Sequence, residues 1–298
     1  MSENLPNHYT ISFSQNISLK LQQMGSMLRG TVTEAPYEGK KASPVDQFAQ
    51  ISMNRVSSRF APMQRVDAAT DRRWVAPTDF DLPQLIDRFD KLKMLTDPES
   101  SYVQNAVFAA GREIDIAILQ ATTADASTGE QGAGTTAYTS GNTITVSIGE
   151  TNSRLNVPKL LALKEKMRSQ FVDFDRDEIY MPLTAKDESS LLAQIQIVSK
   201  DFNGSEKPVL QEGRIKSFLG INFVYCEQAE ATMAGTNKVT VPAWAKSGMH
   251  LGIWNDIQSD ISRRNDLQGL PWQAYVYLSC GATRLEENKV YAVESYRA

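Results

Sequence analysis

A long, well-capped helix in the middle of the chain constrains the fold more than any other feature of the sequence. Asp97 is a good N-cap residue, Pro98 suits the first helical position, and Glu99 suits the positive end of the helix dipole. We therefore predict a helix from Pro98 to about Ala121. Its apolar stripe consists of Val103, Val107, Ala110, Ile114, either Ala117 or Ile118, and Ala121. At about 1.5 Å per residue the helix is more than about 30 Å long, so it must form the backbone of a domain.

The segment before this helix, from Phe48 to Phe89, predicts a long two-stranded arm. Strand-forming residues lie there among many polar and charged ones, and Pro62, Pro77 and Pro83 recur. An isolated hairpin of this kind is only marginally stable in water. The arm therefore lies either on another subunit or at the edge of its own domain.

A shorter apolar stripe precedes the arm. Its members, at steps of three and four, are Phe13, Ile17, Leu21, Met24 and Leu28. They predict a helix that starts near Ser14 and ends at Gly30. Such a small stripe on a tether must dock on its own domain or on a neighbouring subunit.

Beyond the long helix, we predict an α+β fold in which helices and strands are segregated. Residues 122–152 are rich in Gly, Ser, Thr and Ala and predict a mostly mobile loop with one strand at Thr143–Ile148. The further predicted elements are a helix from Val157 to about Phe171 capped by Asn156, a strand at Glu178–Met181, a helix near Lys186–Gln194, a strand at Phe218–Tyr225, and a final pair of strands at Ala274–Cys280 and Val290–Val293.

Composition is that of a folded soluble protein. The 298 residues are 41% hydrophobic and 22% charged, with a net charge of -4 and no basic stripe, so the chain should not hold nucleic acid tightly. No apolar run is long enough for a membrane-spanning helix, and Met1–Tyr9 resembles no secretion signal, which favours a cytoplasmic location. Cys226 and Cys280 are expected to be reduced, buried thiols.

Histidine and glycine motifs give no support for catalysis. His8 and His250 are the only histidines, and neither has a nucleophile or carboxylate at a recognisable spacing. The GEQGAG stretch at 129–134 lacks the Lys and the following helix of a phosphate-binding loop.

Acidic residues favour turns rather than sites. Asp173, Asp175 and Asp177 begin like a calcium loop, but the later ligand positions do not fit, so we expect a charged turn. Carboxylate pairs for hydrolysis, such as Asp79 with Asp81 or Glu286 with Glu287, are candidates by proximity only. We predict no catalytic, cofactor-binding or metal-binding residues.

Two stretches resemble the major capsid proteins of tailed double-stranded DNA bacteriophages, which have the Hong Kong 97-type capsid fold. The first is RRWVAPTDFDLPQLIDRFDKLKMLTDPESSYVQNAVFAAGREIDIAIL, at 72–119. The second comprises EGRIKSFLGINFVYCEQ and GATRLEENKVYAVES, at 212–228 and 281–295. Their serial order matches the family from about Phe13 to Ser295, although no single motif is highly specific.

The resemblance implies a domain plan. It comprises an N-terminal arm (1–45), an extended E-loop hairpin (46–92), a peripheral domain with the long spine helix and the Gly-rich loop (93–154), a mainly axial domain (155–270), and a return to the peripheral domain (271–298). The implied function is a non-enzymatic virion protein that self-assembles into pentamers and hexamers of an icosahedral head around the phage genome. Its location would be the virion, and the host cytoplasm during assembly.

The implied partners are other copies of the chain, a portal protein, a separate scaffolding protein and decoration proteins. Packaged DNA would be touched only weakly and non-specifically, with no membrane contact and no cofactor. We expect inter-subunit contacts from Arg59, Arg65, Arg72, Arg73 and Trp74, because arginine and tryptophan concentrate interface energy. The alternative is that these are ordinary exposed residues of the arm.

Two departures from the family pattern change what we expect of the cross-links and of the scaffold. Some members cross-link through a Lys on the E-loop, but no Lys occurs here between Lys41 and Lys91, so we expect a non-covalent shell. Many members begin with a scaffolding segment that is later removed. None is recognisable here, hence the expected separate scaffold.

Other functions remain open from sequence. They are an encapsulin-type nanocompartment shell, a tail or head-completion protein, and a hydrolase built on scattered carboxylates.

Overall fold

A computed structural model of the chain describes residues 22–56, 58–60, 62–63, 65–86, 99–194 and 215–297. The helices are Glu99–Thr123 (α1), Val157–Ser169 (α2), Ala185–Leu192 (α3) and Gln228–Thr232 (α4). The strands are Thr33–Pro36 (β1), Ala42–Phe48 (β2), Thr70–Val75 (β3), Thr78–Ile86 (β4), Ala126–Thr128 (β5), Gly134–Thr136 (β6), Thr143–Ile144 (β7), Ile179–Leu183 (β8), Ser217–Phe218 (β9), Ile221–Tyr225 (β10), Ala234–Gly235 (β11), Lys238–Ala245 (β12), Met249–Arg263 (β13), Trp272–Arg284 (β14) and Val290–Tyr296 (β15). The predicted α+β class is confirmed.

Three sheets organise these strands. The first has the order β1-β13-β14-β4, and α1 packs against β14 at its centre. The second has the order β7-β15-β12-β8-β10-β9, with β11 paired to β12. The third, β2-β3-β5-β6, is small and forms the base of the arm. Among the described residues, no helix combines the length and the apolar character needed to cross a lipid bilayer.

Two apolar cores lie on opposite faces of the second sheet. In β12, Val239, Val241 and Ala243 face a core shared with α2 and α3, whereas Trp244 faces a core shared with α1. This alternation follows from the two-residue period of a strand. Helix α1 contributes the fully buried Ile114, Ile118 and Leu119 to the second core. One sheet thus joins the long helix to the rest of the molecule.

The predicted helices are confirmed where their signals were local. Helix α1 begins at Glu99 and ends two residues beyond the predicted Ala121, while Asp97 and Pro98 lie outside the described residues. In α2, the side chain of Asn156 accepts a hydrogen bond from the backbone N–H of Lys159 at 3.0 Å, as expected of the cap.

The predicted N-terminal helix is wrong over its described part. Residues 22–28 form no helix, and only a 3₁₀ turn at Arg29–Thr31 follows. The backbone N–H groups of Met27 and Leu28 bond to the carboxylate of Asp115 on α1 and not to their own segment. The remaining members of that stripe, Phe13, Ile17 and Leu21, lie outside the described residues.

The Gly-rich segment is ordered, contrary to the expected mobile loop. Strands β5 and β6 form a hairpin, β5 pairs with β3, and the strand beginning at Thr143 ends at Ile144, beside β15. Glycine fits because the segment packs tightly: a Cβ on Gly132 (φ 68°) would lie 3.0 Å from the ring of Trp74.

The final strands do not pair with each other. Strand β14 lies in the first sheet between β13 and β4, whereas β15 pairs with β12 in the second. Strands β12 and β13 were not predicted, and irregular pairing between Ile253 and Gln258 interrupts the alternation in β13. The strand expected at Phe218–Tyr225 is divided by a turn, because Leu219 and Gly220 have φ of 57° and 84°.

Candidate assembly surfaces

The hairpin of β2 and β3 is an extended arm that leaves the body of the molecule. The pairing continues to the backbone bond from Ala49 N–H to Ala69 C=O, and residues 50–68 lie beyond it. Large apolar side chains in and beside this segment are exposed: Phe48, Ile51, Met53, Val56, Phe60, Met63 and Val66. The predicted two-stranded arm is therefore present over 42–75, and its distal part makes little contact with the rest of the described chain. The later part of the predicted arm is wrong, because Thr78–Ile86 pairs with β14 in the first sheet.

The five predicted contact residues divide between the two ends of the arm. Arg59 is exposed near the tip, and Arg65 is exposed there with Asp67 as its ion-pair partner at 2.9 Å. Arg72, Arg73 and Trp74 lie in β3 at the base. The structure therefore does not bring the five together into one surface.

Arg72 and Trp74 are linked at the base. The Arg72 guanidinium lies 5.8 Å from the centre of the Trp74 ring and binds both carboxylate oxygens of Asp46. These hydrogen bonds hold the pKa of Asp46 below its usual value. The Trp74 indole N–H donates to the carbonyl of Gly129 at 2.7 Å. The GEQGAG stretch is thus a packing partner of the arm.

Arg73 is buried and makes its polar contacts within its own chain. Its Nε donates to the carbonyl of Leu285 at 3.0 Å, and its guanidinium lies 3.4 Å from Glu287. Glu287 also binds Arg284, which is fully buried and donates to the carbonyls of Thr122 and Ala124 at the end of α1. One carboxylate and two arginines therefore join the arm, the long helix and β14.

The segment that leads into β1 is fastened to α1 by one carboxylate. Asp115 is fully buried and accepts hydrogen bonds from Gln23, Ser26, Met27 and Leu28 at 2.5 to 3.1 Å. We call residues 22–32 the root segment. Nothing in the sequence distinguished Asp115 from a solvated aspartate, since its partners lie almost 90 positions away.

A second group of buried charges lies beside the second sheet. Lys159 is fully buried, its amine donates to the carbonyls of Ser153, Arg154 and Glu294, and burial lowers its pKa to about 8. Nearby, Arg297 binds the fully buried Asp187 at 2.7 Å. These groups stabilise the end of β15 against the helical layer.

His250 is buried in β13, opposite Thr33 of the neighbouring edge strand β1. The Thr33 hydroxyl donates to the carbonyl of Met249, so it must accept from Nδ1–H of His250 at 3.0 Å. Nε2 of the neutral ring then accepts from the Tyr37 hydroxyl at 3.0 Å. The ring joins β1 to β13, and burial lowers its pKa.

This arrangement predicts a pH dependence of stability. Because the pKa of His250 is lower in the folded than in the unfolded chain, folding favours the neutral ring, and its contribution is lost as pH falls below about 6.5. Melting temperatures of the wild type and His250→Gln should therefore diverge less at pH 5 than at pH 7.5, the wild type losing more on acidification. Parallel losses in the two proteins would contradict this assignment.

The other candidate groups are structural. Cys226 and Cys280 are free and buried, as expected, and burial raises the pKa of each to about 11. Asp173, Asp175 and Asp177 form the expected turn between α2 and β8, and Asp177 accepts hydrogen bonds from Ser247. The described residues contain no cluster of three or more potential metal ligands.

The carboxylates proposed as pairs from their proximity also form hydrogen bonds or ion pairs within their own chain. Asp79 accepts from the Ser279 hydroxyl at 2.5 Å, and Asp81 lies 3.5 Å from the Tyr275 hydroxyl. Glu287 binds arginines, and Glu286 pairs with Lys289 at 3.1 Å.

Comparison with known proteins shows which family and which solved structures this chain is similar to. The family model described as phage capsid protein matches residues 5–296. No curated protein sequence matches the chain. Among solved structures, the capsid of cyanophage Pam1 matches with a TM-score of 0.75 and 11% identity over 98% of each chain.

Two further structures show the same fold. The capsid of cyanophage P-SCSP1u has a TM-score of 0.72 and 12% identity, over 98% of this chain and 94% of that one. The head of Helicobacter pylori bacteriophage KHP40 has a TM-score of 0.69 and 12% identity, over 98% and 97%. The resemblance inferred from the sequence is confirmed, and because the family match spans nearly the whole sequence, this chain belongs to the phage capsid protein family.

Proposed function

We propose that the chain is a major capsid subunit that self-assembles into the pentamers and hexamers of an icosahedral head enclosing the phage double-stranded DNA. The observation that carries this proposal is the family match over residues 5–296. The exposed arm supports it, because a subunit that must make quasi-equivalent contacts benefits from adaptable extensions. The role is structural, in the virion, with assembly in the host cytoplasm. The encapsulin-type alternative is not favoured, since the family and the structural neighbours are phage capsids.

Sheet membership supports a domain assignment within this proposal. We assign the first sheet with α1 to the peripheral domain, the second sheet with α2 and α3 to the axial domain, and the arm to the E-loop. In this assignment β13 belongs with the peripheral domain and β15 with the axial domain, because each strand follows its sheet partners. The portal, separate scaffolding and decoration proteins expected from the resemblance are proposed partners. DNA contact is weak in this proposal because the chain has a net charge of -4.

Electron microscopy of the expressed full chain in negative stain tests the function. We expect closed shells, tubes or sheets of hexamers. A stable, monodisperse monomer or dimer, both alone and with the other head proteins of its phage, would contradict the proposal. Uniform closed shells from the chain alone would retain it but would argue against a separate scaffold.

The chemistry of the arm predicts a shell without covalent cross-links. Residues 42–90 contain no lysine, so the arm has no amine to form an amide with a neighbouring side chain. Mature particles boiled in sodium dodecyl sulfate and reductant should give a single monomer band. Ladders, or material too large to enter the gel, would show that a lysine elsewhere forms cross-links.

A further inference from the structure

The root segment passes around α1 towards one side of that helix. The backbone N–H of Leu28 bonds to Asp115 at 3.0 Å. Six residues earlier, the side chain of Gln22 donates to that of Asn105 at 2.9 Å. At about 100° per residue, Asn105 lies about 80° around the helix from Asp115, and Ala109 lies about 40° further in the same direction. The chain that precedes Gln22 is therefore directed towards the side of α1 that carries Ala109.

A groove between α1 and β4 lies on that side. We call it the α1–β4 groove. Its volume is about 300 Å³, and its lining includes Ala109 on α1 and the apolar side chains of Phe80, Leu82 and Leu278 on the sheet. Phe80 and Leu82 are only half-buried, although their side chains are large and apolar. Gln22 thus lies one helical turn from a residue that lines an apolar groove in its own chain.

Strand β4 gives this groove an open side. It pairs with β14 along one edge, and among the described residues no strand pairs with its other edge. Phe80 packs against the core beneath α1, so Phe80 and Leu82 face the helix. Asp79 and Asp81 alternate with them and face the opposite side of the sheet. A segment that covers this edge must therefore be apolar on one face and polar on the other.

The sequence before the root segment has this character. Apolar residues occupy the odd positions from 11 to 21 with one exception, Gln15, and they are Ile11, Phe13, Ile17, Leu19 and Leu21. Every even position from Thr10 to Gln22 is polar. This period of two is that of a strand. Extended, residues 11–21 would span about 36 Å, which is enough to follow the nine residues of β4 at about 30 Å.

We infer that residues 11–21 lie extended in the α1–β4 groove of their own chain, beside the free edge of β4 and with their apolar side chains towards α1. This inference goes beyond the proposed function, because it concerns one subunit whether or not that subunit assembles. The connection is short, since Leu21 directly precedes Gln22, which α1 already holds. A tethered segment avoids most of the entropic cost of association, which favours the same chain over a second copy. An uncovered edge strand invites pairing with other chains, so the docked segment would leave assembly to other surfaces.

Thiol labelling in the groove tests the inference. The reporter is Ala109→Cys in the full chain, because the native Cys226 and Cys280 are buried. We expect a maleimide to react slowly with this reporter while the groove is covered. Ile17→Asp with Leu19→Asp removes apolar contacts of the segment, so the reporter should react roughly tenfold faster. Equal rates with and without these two substitutions would overturn the inference.

Matched variants separate the docked face from other causes. Asn16→Asp with Ser18→Asp adds the same two negative charges on the polar face and should leave labelling slow. Leu19→Asp alone should accelerate labelling, because Leu19 shares a face with Ile17 in a strand but lies opposite it in a helix. A second reporter, Leu161→Cys at an exposed position on α2, should react at one rate in every variant. If the polar-face pair accelerated labelling as much as the apolar-face pair, the alternating face would not be what docks, and the inference would fail.

A mixing experiment identifies the chain that supplies the segment. An excess of wild-type chain, which lacks the reporter, is added to the Ala109→Cys chain that carries Ile17→Asp and Leu19→Asp. We expect labelling to remain fast, because each groove is covered by the segment of its own chain. A return to slow labelling would show that a second copy covers the groove and would overturn the inference. If the wild type forms no shells, the proposed function fails, whereas slow labelling of the Ala109→Cys chain and fast labelling of its apolar-face variant would still support this inference.

Discussion

Replacement of Arg297 by methionine is expected to lower the free energy of unfolding by about 3–5 kcal/mol. Asp187 is fully buried, and Arg297, whose side chain is 9% exposed, binds both of its carboxylate oxygens, at 3.0 and 2.7 Å. Without the guanidinium, that carboxylate keeps, among the described residues, the hydroxyl donors of Ser295 and Thr184, and the Lys159 amine is a nearby positive charge that donates it no hydrogen bond. A buried charge that loses its counter-ion retains the cost of its desolvation, which explains the size of the effect.

Urea denaturation of the full chain measures this effect, and two variants define its origin. Lys186→Met removes a 54%-exposed partner of Glu230, a carboxylate that Arg297 also binds, and should cost less than about 1 kcal/mol. Adding Asp187→Asn to Arg297→Met should recover part of the loss, because the uncompensated charge is then removed. If the double variant were no more stable than Arg297→Met, lost packing and not the unpaired charge would be the cause.

Elements with local signals could be predicted from the sequence. For α1 and α2, periodicity and capping lie within the segment itself, and both helices were placed to within about two residues. Strands β12 and β13 lacked such a signal, because their burial depends on partners elsewhere in the chain. For the same reason β14 and β15 were recognised as strands, but their membership of two different sheets was not predicted. Sheet order depends on contacts between residues that are far apart in the sequence. The local pattern of apolar and polar residues does not indicate such contacts.

In the candidate surfaces, too, the features with local sequence signals were predictable and those that depend on distant residues were not. A two-stranded arm was predictable from strand-forming residues, recurring prolines and mostly polar faces. The buried role of Arg73 was not, because it depends on Glu287, more than 200 positions away. Asp115 and Arg284 likewise resemble surface residues until the fold places backbone carbonyls and N–H groups around them.

These buried charges share one physical role. Glu287 holds the base of the arm through Arg73, and Asp115 holds the root segment on α1. The base of the arm is thus held by a buried ion pair, while the arm is exposed towards its tip. Fixing the base restricts the directions in which an extension can search, which lowers the entropic cost of docking on a neighbour.

Asp115→Asn should therefore release the root segment. The carboxylate accepts from two side chains and from the N–H groups of Met27 and Leu28, whereas an amide offers one oxygen and places an NH₂ group against these donors. Stranded buried donors cost about 1–3 kcal/mol each, so we expect a local loss of about 3 kcal/mol. Hydrogen exchange at Met27 and Leu28 should then accelerate by roughly 100-fold.

A matched control changes an exposed carboxylate that touches the same segment. Asp256, whose side chain is 52% exposed, binds Arg29 at 2.9 Å, and Asp256→Asn should alter exchange at Met27 and Leu28 only slightly. Equal acceleration in the two variants would show that the root segment responds to any lost charge. It would then not depend on the buried acceptor.

Gly111→Ala should disturb the packing of the root segment against α1 without changing any charge. In an exposed helix this substitution stabilises by about 1 kcal/mol. Here the added methyl group would lie 2.5 Å from the carbonyl carbon of Gly25, so the helix and the root segment cannot keep their present spacing. We therefore expect the reverse sign, with lower stability and faster exchange at Met27 and Leu28. If both this variant and Asp115→Asn left those amides protected, the root segment would be held mainly by the burial of Leu28 and Val32 in the apolar core, and the carboxylate would be secondary.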